Sequence, residues 1–418
     1  MMTTALNLDL AIIGSGPAGL AAAVKAKQLG IQDVVVFERD ERPGGILPQC
    51  IHNGFGLQKF KTELTGPEYA NRYIKMAKAH SVDIELDTMV LEIGKNRALT
   101  AVSETGGIRT YRCKSIILAM GCRERPRGAI GIAGTRPAGI FTAGQAQRMV
   151  NIEGYMPGET IVILGSGDVG MIMARRLSLE GAEIKAVIEV QPYTSGLIRN
   201  EVQCLHDFDI PLRLSHTVVE IHGEKRVEGV TVAEVDEGWQ PLKGTEQFIA
   251  CDTLLLSVGL IPENELSKMA GVSIDPSTGG AYVDELLETN VPGIFSCGNV
   301  LHVNDYVDEV SNEGEIAARG AKSRIKGRLA GKRKKIALVG NNTIGQIVPQ
   351  TISGQRPVTL CMRVNRPMEK LTLRVGDIFK KRIPYARPSE MIQIRLPKKI
   401  LGELKPSTAR LNVSCEER

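Results

Sequence analysis

The chain has 418 residues, 43% of them hydrophobic, and a formal net charge of +5. That length accommodates two or three domains with proper cores, and the composition argues against a disordered protein. No apolar run approaches the roughly 20 residues that span a bilayer, and the chain enters a strand without a signal segment. We therefore expect a cytoplasmic protein with no membrane span.

The cysteines of the chain occur singly. There are eight Cys and six His, with no C-x-x-C pair. Zinc and iron–sulfur sites need clustered thiolates, so this spacing predicts no metal site. We expect reduced thiols at all eight positions, which are Cys50, Cys113, Cys122, Cys204, Cys251, Cys297, Cys361 and Cys415.

The first predicted element is an apolar strand at 10–13 that ends in a glycine-rich turn of the form G-x-G-x-x-G. A small-residue helix follows, and the next strand ends in Glu38. Glycines in such a turn let the backbone approach a pyrophosphate at the helix N-terminus, while the acid binds ribose hydroxyls. The residues predicted to bind this first dinucleotide are Gly14, Ser15, Gly16, Pro17, Ala18, Gly19, Glu38 and Arg39.

The segment 42–56 is too rich in Gly and Pro for a regular element. The pattern after it predicts a helix at 67–80 and strands near 83–85, 90–93 and 115–118, the last ending in a small-residue turn. From the loop and the turn we add four residues to the first cofactor site: Gly45, Ile46, Ala119 and Gly121.

The same pattern recurs about 150 residues later, after an apolar strand at 161–164. Gly170 precedes Glu189 by 19 positions, and Gly19 precedes Glu38 by the same number. One such motif is often an ordinary turn, but the repeated spacing indicates two dinucleotides, usually FAD first and NAD(P)H second. The residues of the second site are Gly165, Gly167, Asp168, Val169, Gly170, Glu189 and, in a later small-residue turn, Gly259.

The charge at Glu189 predicts which nicotinamide cofactor binds. A 2′-phosphate would be repelled by this carboxylate and would need a nearby arginine, and the first one downstream is Arg199. The sequence therefore favours NAD(H) over NADP(H).

A strand at 292–300 contains Gly298 and Asn299, and a small-residue helix is predicted at 313–326. From residue 332 the pattern changes to period-two alternation, which predicts an antiparallel β sandwich or barrel-like module. Residues 332–418 carry 19 Lys and Arg against 6 Asp and Glu, but only one Phe, one Tyr and no Trp. A basic surface with few aromatic residues favours a protein partner and no nucleic acid.

The chain resembles the pyridine-nucleotide-disulfide oxidoreductase superfamily over roughly residues 8–330. The resemblance rests on the two glycine-rich turns with their acids, here called the fingerprints, on the small-residue turns and on the segment 293–299. The stretch 134–147 is similar to the α subunits of sarcosine oxidase, opine oxidase and proline dehydrogenase. It is still more similar to NAD/FAD oxidoreductases associated with glycerol-3-phosphate dehydrogenase.

The resemblance implies an α/β fold with two Rossmann-like dinucleotide-binding domains and a small C-terminal β-rich module. We expect residues 1–125 and 263–330 to form the FAD-binding domain, 126–262 the NAD(H)-binding domain and 332–418 the basic module. FAD and NAD(H) are the expected cofactors. A second flavoprotein or dehydrogenase subunit is the expected partner at the basic module, and a homo-oligomer is possible.

Two departures from the family pattern affect the expected chemistry. Disulfide reductases of the family carry a cysteine pair, whereas here Cys50 stands alone after the Gly-Gly of the loop, so no dithiol relay is available. The family's Gly-Asp is Gly298-Asn299 here, and an amide can still hydrogen-bond the ribitol hydroxyls. Hydride transfer between nicotinamide and flavin then needs no further catalytic group.

Three residues are weak catalytic candidates: Cys50, His52 and His302. Cys50 beside His52 is either an activated thiolate or, as we favour, a small buried side chain near the flavin. His302 is either at the flavin edge or a satisfied loop histidine. Arg123 and Arg125 either meet an anion or lie in a solvated loop, and we favour the loop.

Three functions fit these patterns. The first is a subunit of a heteromeric flavin dehydrogenase that relays electrons between NAD(H) and a partner oxidising an amino acid, an amine or glycerol phosphate. The second is a free-standing NADH oxidase or NADH:acceptor reductase. The third is a non-catalytic redox-sensing protein, which two complete fingerprints make the least favoured.

Overall fold

The structure is a computed structural model that describes residues 5–329 and 334–417. The chain divides into two compact units, one formed by Met1–Cys122 with Pro262–Arg418 and the other by Arg123–Ile261. The expected start of the C-terminal module at residue 332 lies outside the described residues. Within those ranges, no helix has the length and apolar character needed to cross a bilayer.

The helices and strands fall into three successive stretches of the chain. The first contains β1 (Leu6–Ile13), α1 (Pro17–Gln28), β2 (Val34–Phe37), α2 (Gly66–Ala79), β3 (Asp83–Glu85), β4 (Thr88–Ile93), β5 (Ala98–Ser103), β6 (Gly107–Leu118) and β7 (Cys122–Glu124). The second contains α3 (Arg127–Ile130), β8 (Ala133–Gly134), β9 (Ile140–Thr142), α4 (Ala143–Arg148), β10 (Thr160–Leu164), α5 (Asp168–Leu179), β11 (Glu183–Ile188), α6 (Ile198–Cys204), β12 (Leu212–Arg213), β13 (His216–His222), β14 (Gly229–Glu234), β15 (Gln247–Ala250), β16 (Thr253–Leu256) and β17 (Leu260–Pro262). The third contains α7 (Glu265–Met269), β18 (Ile294–Ser296), α8 (Val307–Ile325), β19 (Ile336–Gly340), β20 (Ile344–Val348), β21 (Thr351–Ile352), β22 (Val358–Val364), β23 (Met368–Val375), β24 (Phe379–Ala386), β25 (Ile392–Leu396), α9 (Lys398–Leu401) and β26 (Arg410–Glu417).

A mainly parallel sheet forms the centre of the first unit. β1 lies between β2 and β6 and is parallel to both, β3 continues the sheet beside β2, and β18 lies parallel to β6. β5 and β4 extend the sheet with antiparallel pairing. The last four residues of β1 and all of β2 are buried, as expected of strands covered on both faces. The carboxyl ends of β1 and β2 therefore bring the first glycine-rich turn beside Glu38.

The second unit repeats this arrangement. Its parallel sheet has the order β12-β11-β10-β16-β9, and a second sheet has the order β15-β14-β13-β8. Apolar side chains of β10 and β16 enter cores on both faces of the parallel sheet, which explains their unbroken hydrophobic sequences. The second glycine-rich turn consequently lies at the sheet edge beside Glu189.

The C-terminal module has two sheets around its own apolar core, with the orders β21-β19-β26-β23-β24 and β20-β22-β25. The predicted fold class, α/β with a β-rich C-terminal module, is confirmed. Four predicted strands correspond to β22, β23, β25 and β26, whereas β19, β20, β21 and β24 were not predicted. Helix α8 begins at Val307, six residues before the predicted start, with Asp308 and Glu309 in a first turn that favours negative charge.

Polar contacts fix the C-terminal module to the rest of the first unit. Buried Gln350 donates from Nε2 to Asp275 Oδ2 at 2.8 Å and accepts at Oε1 from Val283 N at 3.0 Å. Arg363 donates to the carbonyl of Val303 at 3.2 Å and pairs with Asp305. The module thus packs on the loop that follows Asn299.

Candidate functional site

The first glycine-rich turn is tight because neighbouring backbone lies where a side chain would be. Gly14 has φ of 98°, and a Cβ there would lie 2.5 Å from the carbonyl oxygen of Ala119. A Cβ on Gly19 would lie 1.8 Å from the Gly14 oxygen. Gly16 is the N-cap of α1, and as a glycine it has no side chain that could cap the helix. The amide N–H groups at this helix start can therefore bind a pyrophosphate, so the turn fits the adenosine half of FAD.

Glu38 is a buried carboxylate at the end of β2, only 5% exposed. Its Oε2 accepts hydrogen bonds from Ser15 N at 2.8 Å and Ser15 Oγ at 2.6 Å, and Oε1 accepts from Asp40 N at 3.0 Å. Gly44 N also donates to Ser15 Oγ at 3.3 Å. These bonds stabilise a buried charge and hold the glycine-rich loop against the first turn.

The remaining predicted residues of the first site fall into two groups. Arg39 and Ile46 are exposed beside the turn, and a Cβ on Gly45 would lie 2.9 Å from the Cα of Gly16. Ala119 N donates to the carbonyl of Ile13 at 2.9 Å, which places the Ala119–Gly121 turn at the same sheet edge. The loop and the small-residue turn therefore both lie against the fingerprint.

Gly298 and Asn299 form a 3₁₀ turn after β18. Gly298 has φ of 73°, and its N–H donates to Glu313 Oε2 at 2.7 Å. Asn299 accepts at Oδ1 from Asn304 N at 3.1 Å, and its Nδ2 contacts Cys122 Sγ at 3.6 Å. The amide keeps a second N–H that can serve a cofactor hydroxyl.

The second fingerprint reproduces the first at the level of atoms. Gly165 has φ of 97°, and a Cβ there would lie 2.2 Å from the Ser257 oxygen. Glu189 is 3% exposed, and its Oε2 accepts from Ser166 N at 2.9 Å and Ser166 Oγ at 2.6 Å. Gly167 is the N-cap of α5, and as a glycine it has no side chain that could cap the helix. This turn therefore fits a second dinucleotide.

Two residues at the second site were not found from the sequence. Ser195 donates from Oγ to Glu189 Oε2 at 2.8 Å. It lies six positions after this acid, and Gly44 lies six positions after Glu38 in the first repeat. Arg213 ends β12, where its carbonyl accepts from Glu189 N at 2.9 Å while its guanidinium donates to Gln247 at 2.8 Å. A repeat-to-repeat alignment would have revealed Ser195, but Arg213 comes from a neighbouring strand.

Asp168 holds a loop over the start of α5. Its Oδ1 accepts from Leu197 N at 2.8 Å and Asn200 Nδ2 at 2.6 Å. A Cβ on Gly196 would lie 2.9 Å from Asp168 N, so this loop runs very close to the helix N-terminus. Asp168 therefore shapes the second turn through the loop 195–200.

The weak catalytic candidates lie in different surroundings. Burial raises the pKa of the Cys50 thiol to about 12, and its Sγ contacts the Ile46 carbonyl at 3.4 Å. The His52 ring packs on Phe55 at 4.9 Å and contacts the Asn53 carbonyl through Nδ1 at 3.0 Å. His302 is completely buried. Because the pKa of Cys50 is raised, this side chain is a thiol at neutral pH, which makes it a poor nucleophile.

Two arginines were also considered as candidates for contact with an anion. Arg123 and Arg125 are exposed. None of the eight cysteines, all of which lie in the described ranges, forms a disulfide.

Two glycine-rich turns, each paired with a buried acid at the edge of a parallel sheet, define a flavoprotein that binds two dinucleotides. Residues 8–317 match the family model described as pyridine nucleotide-disulphide oxidoreductase, and the chain belongs to that family. The predicted class, an oxidoreductase that uses FAD and NAD(H), fits this family, whose members similar to the chain include an NAD(P)H reductase.

Relatives of the chain include a protein named as a subunit and a protein named as a reductase. Hydrogen cyanide synthase subunit HcnB of Pseudomonas protegens is 26% identical over 71% of this chain and 66% of its own length. The NAD(P)H coenzyme A polysulfide/persulfide reductase of Pyrococcus horikoshii is 27% identical over 71% of this chain and 63% of its own. This chain therefore spans about two thirds of the length of these two relatives.

A solved structure extends the likeness of fold into the C-terminal module. The NAD-dependent persulfide reductase from A. fulgidus aligns with a TM-score of 0.59 and 18% identity, covering 94% of this chain and 72% of that one.

Proposed function

We propose that the chain transfers hydride between NADH and FAD without a redox disulfide, as a subunit of a heteromeric cytoplasmic dehydrogenase for an amino acid, an amine or glycerol 3-phosphate. The observation that carries the proposal is the combination of two complete fingerprints with a single cysteine, Cys50, in the glycine-rich loop, where burial raises the pKa of its thiol. When bound, the cofactors supply the hydride chemistry. The residues of the chain bind, orient and shield them.

The preference for NADH rests on Glu189. Its carboxylate lies where the adenosine ribose of the second dinucleotide is expected, and an added 2′-phosphate would bring two more negative charges beside it. Arg213 on the neighbouring strand contacts Glu189 through its backbone carbonyl, whereas its guanidinium is bonded to Gln247.

The subunit role is supported by HcnB, which is by name a subunit, and by the charge of the C-terminal module. β24 is an edge strand of the five-stranded sheet and carries the exposed side chains of Lys380, Lys381 and Arg382. An acidic surface on a partner is the complement of such an edge, and the attraction would weaken with salt.

The test is purification of the untagged chain from its source at low salt. We expect a second polypeptide in equal amount, and we expect the double variant Lys380→Glu/Lys381→Glu to lose it. The matched control is Lys398→Glu/Lys399→Glu on α9, which makes the same charge change at exposed lysines of the same module. A chain recovered alone or only as a homo-oligomer would contradict the subunit role.

The second candidate is a free-standing NADH:acceptor reductase with a sulfur-containing acceptor. It is favoured by the persulfide reductases among the relatives. Sustained NADH oxidation by the pure chain with polysulfide as acceptor would support it, and the absence of such turnover would leave the subunit proposal.

A further inference from the structure

A histidine, a glutamate and a cysteine meet inside the first unit, remote from each other in sequence. A ring nitrogen of His302, a carboxylate oxygen of Glu313 and the Sγ of Cys361 all lie within 4.8 Å of one another. His302 follows the Gly298–Val300 turn, Glu313 lies on α8 and Cys361 lies on β22. Imidazole, carboxylate and thiolate are the three side-chain donors that zinc uses in proteins.

The first two donors are buried and already aligned. His302 is 0% exposed, and its Nε2 lies 2.6 Å from Glu313 Oε1. The other ring nitrogen, Nδ1, has no hydrogen-bond partner in the described part of the chain. In this arrangement Nε2 donates its N–H to Glu313, so a cation that binds at Nε2 requires this proton to move to Nδ1.

Glu313 is held in place by a second contact. Its Oε2 accepts from Gly298 N at 2.7 Å, so Oε1 can bind a cation while Oε2 stays hydrogen-bonded. Bonds of this kind orient metal ligands and are a usual part of metal sites.

A cavity of about 190 Å³ is lined by residues that neighbour two of the donors along the chain or across a sheet. Its lining includes Asn304, two residues after His302, and Gln393, which pairs with Cys361 across β22 and β25. Asp305 and Glu309 also line it. A water molecule would be the fourth ligand of a tetrahedral site with these three donors.

We propose that His302, Glu313 and Cys361 bind a divalent cation of the zinc class, which joins β22 of the C-terminal module to the flavin-binding part of the first unit. Binding releases one proton, from the Cys361 thiol, and the charges of cation, carboxylate and thiolate then sum to zero. The single, scattered cysteines had predicted no metal site, because sequence spacing does not reveal donors that only the fold brings together.

The test is zinc binding by the untagged, full-length, FAD-loaded protein after removal of metals with a chelator. Equilibrium dialysis with elemental analysis should find one zinc per chain, and Cys361→Ala should weaken binding at least about tenfold. The matched control is Cys415→Ala, which removes a buried cysteine of the same module from the other sheet. No zinc above background, or equal affinity in Cys361→Ala, would overturn the proposal.

A second measurement covers the case in which Cys361→Ala does not fold. Cobalt added to the wild-type protein should give the visible bands of a tetrahedral thiolate site at long wavelengths, where oxidised flavin does not absorb, and zinc should displace them. Only octahedral cobalt bands would also overturn the proposal.

Discussion

The two fingerprints use the same atoms in different surroundings. In each, a serine in the turn donates from both N and Oγ to the buried acid 23 positions later, with an Oγ–Oε2 distance of 2.6 Å. The residue six positions after the acid is Gly44 in the first and Ser195 in the second. We therefore expect the shared backbone geometry to fix where each dinucleotide binds and the neighbouring side chains to select which one.

The strands beside the two acids, β3 and β12, end in residues of opposite charge. Glu38 N donates to the carbonyl of Glu85 on β3, whereas Glu189 N donates to that of Arg213 on β12. The Glu85 carboxylate accepts the Tyr111 hydroxyl at 3.0 Å and keeps the first site acidic. At the second site the acid contacts the backbone of an arginine, so we expect the choice between NADH and NADPH to be the more easily altered there.

The largest expected effect comes from adding one methyl group to either turn. Gly14→Ala should cut FAD affinity by at least about 100-fold, because the strained backbone costs about 1–3 kcal/mol and the clash with Ala119 adds to it. Gly165→Ala should cut NADH affinity similarly and leave FAD bound. Flavin content and NADH titration measure the two effects, and Gly128→Ala, where a Cβ meets open space, is the control. Loss of FAD in both turn variants would show that the sites are not independent.

The next effect concerns the second acid. NADH should reduce the wild-type flavin anaerobically much faster than NADPH does. Glu189→Arg should lower the ratio of these two rates about tenfold or more, which corresponds to ~1.4 kcal/mol. Rapid-mixing kinetics with both nucleotides measure this ratio. Arg213→Gln, which removes only the neighbouring cation, should widen it. Equal rates with both nucleotides in the unaltered protein would refute the charge argument.

A smaller effect is expected at Ser195. Removing its hydroxyl in Ser195→Ala takes one of four hydrogen bonds from the Glu189 carboxylate, which should raise the Kd for NADH by about threefold to tenfold, since such a bond contributes about 1 kcal/mol. The FAD content should not change. An unaltered Kd would show that the loop bond has no role in nucleotide binding.

The smallest effect is expected at Cys50. Cys50→Ser should leave flavin reduction nearly unchanged, and anaerobic titration should consume about one NADH per FAD, because no dithiol stores two more electrons. Because its pKa is raised to about 12, the Cys50 thiol should react slowly with iodoacetamide at pH 8 and faster only as the pH rises toward that value. Uptake of a second NADH that Cys50→Ser abolishes would establish a thiol mechanism.

The sequence by itself determined the class of protein and the positions of both fingerprints. Glycine turns, buried parallel strands and terminal acids are encoded within about 30 consecutive residues, so a local pattern suffices to recognise them. Four strands of the C-terminal module, β22, β23, β25 and β26, were predicted for the same reason. β24 was not, because its run Lys380, Lys381 and Arg382 on an exposed edge hides the alternation.

Only the tertiary structure decided what surrounds each acid and what meets behind the Gly298 turn. Arg213 reaches Glu189 from the next strand, and Glu313 reaches Gly298 from a helix that follows it. Cys361 joins His302 only because the C-terminal module packs on the loop after Asn299. Such contacts depend on how separate elements pack, and no spacing along the chain records them.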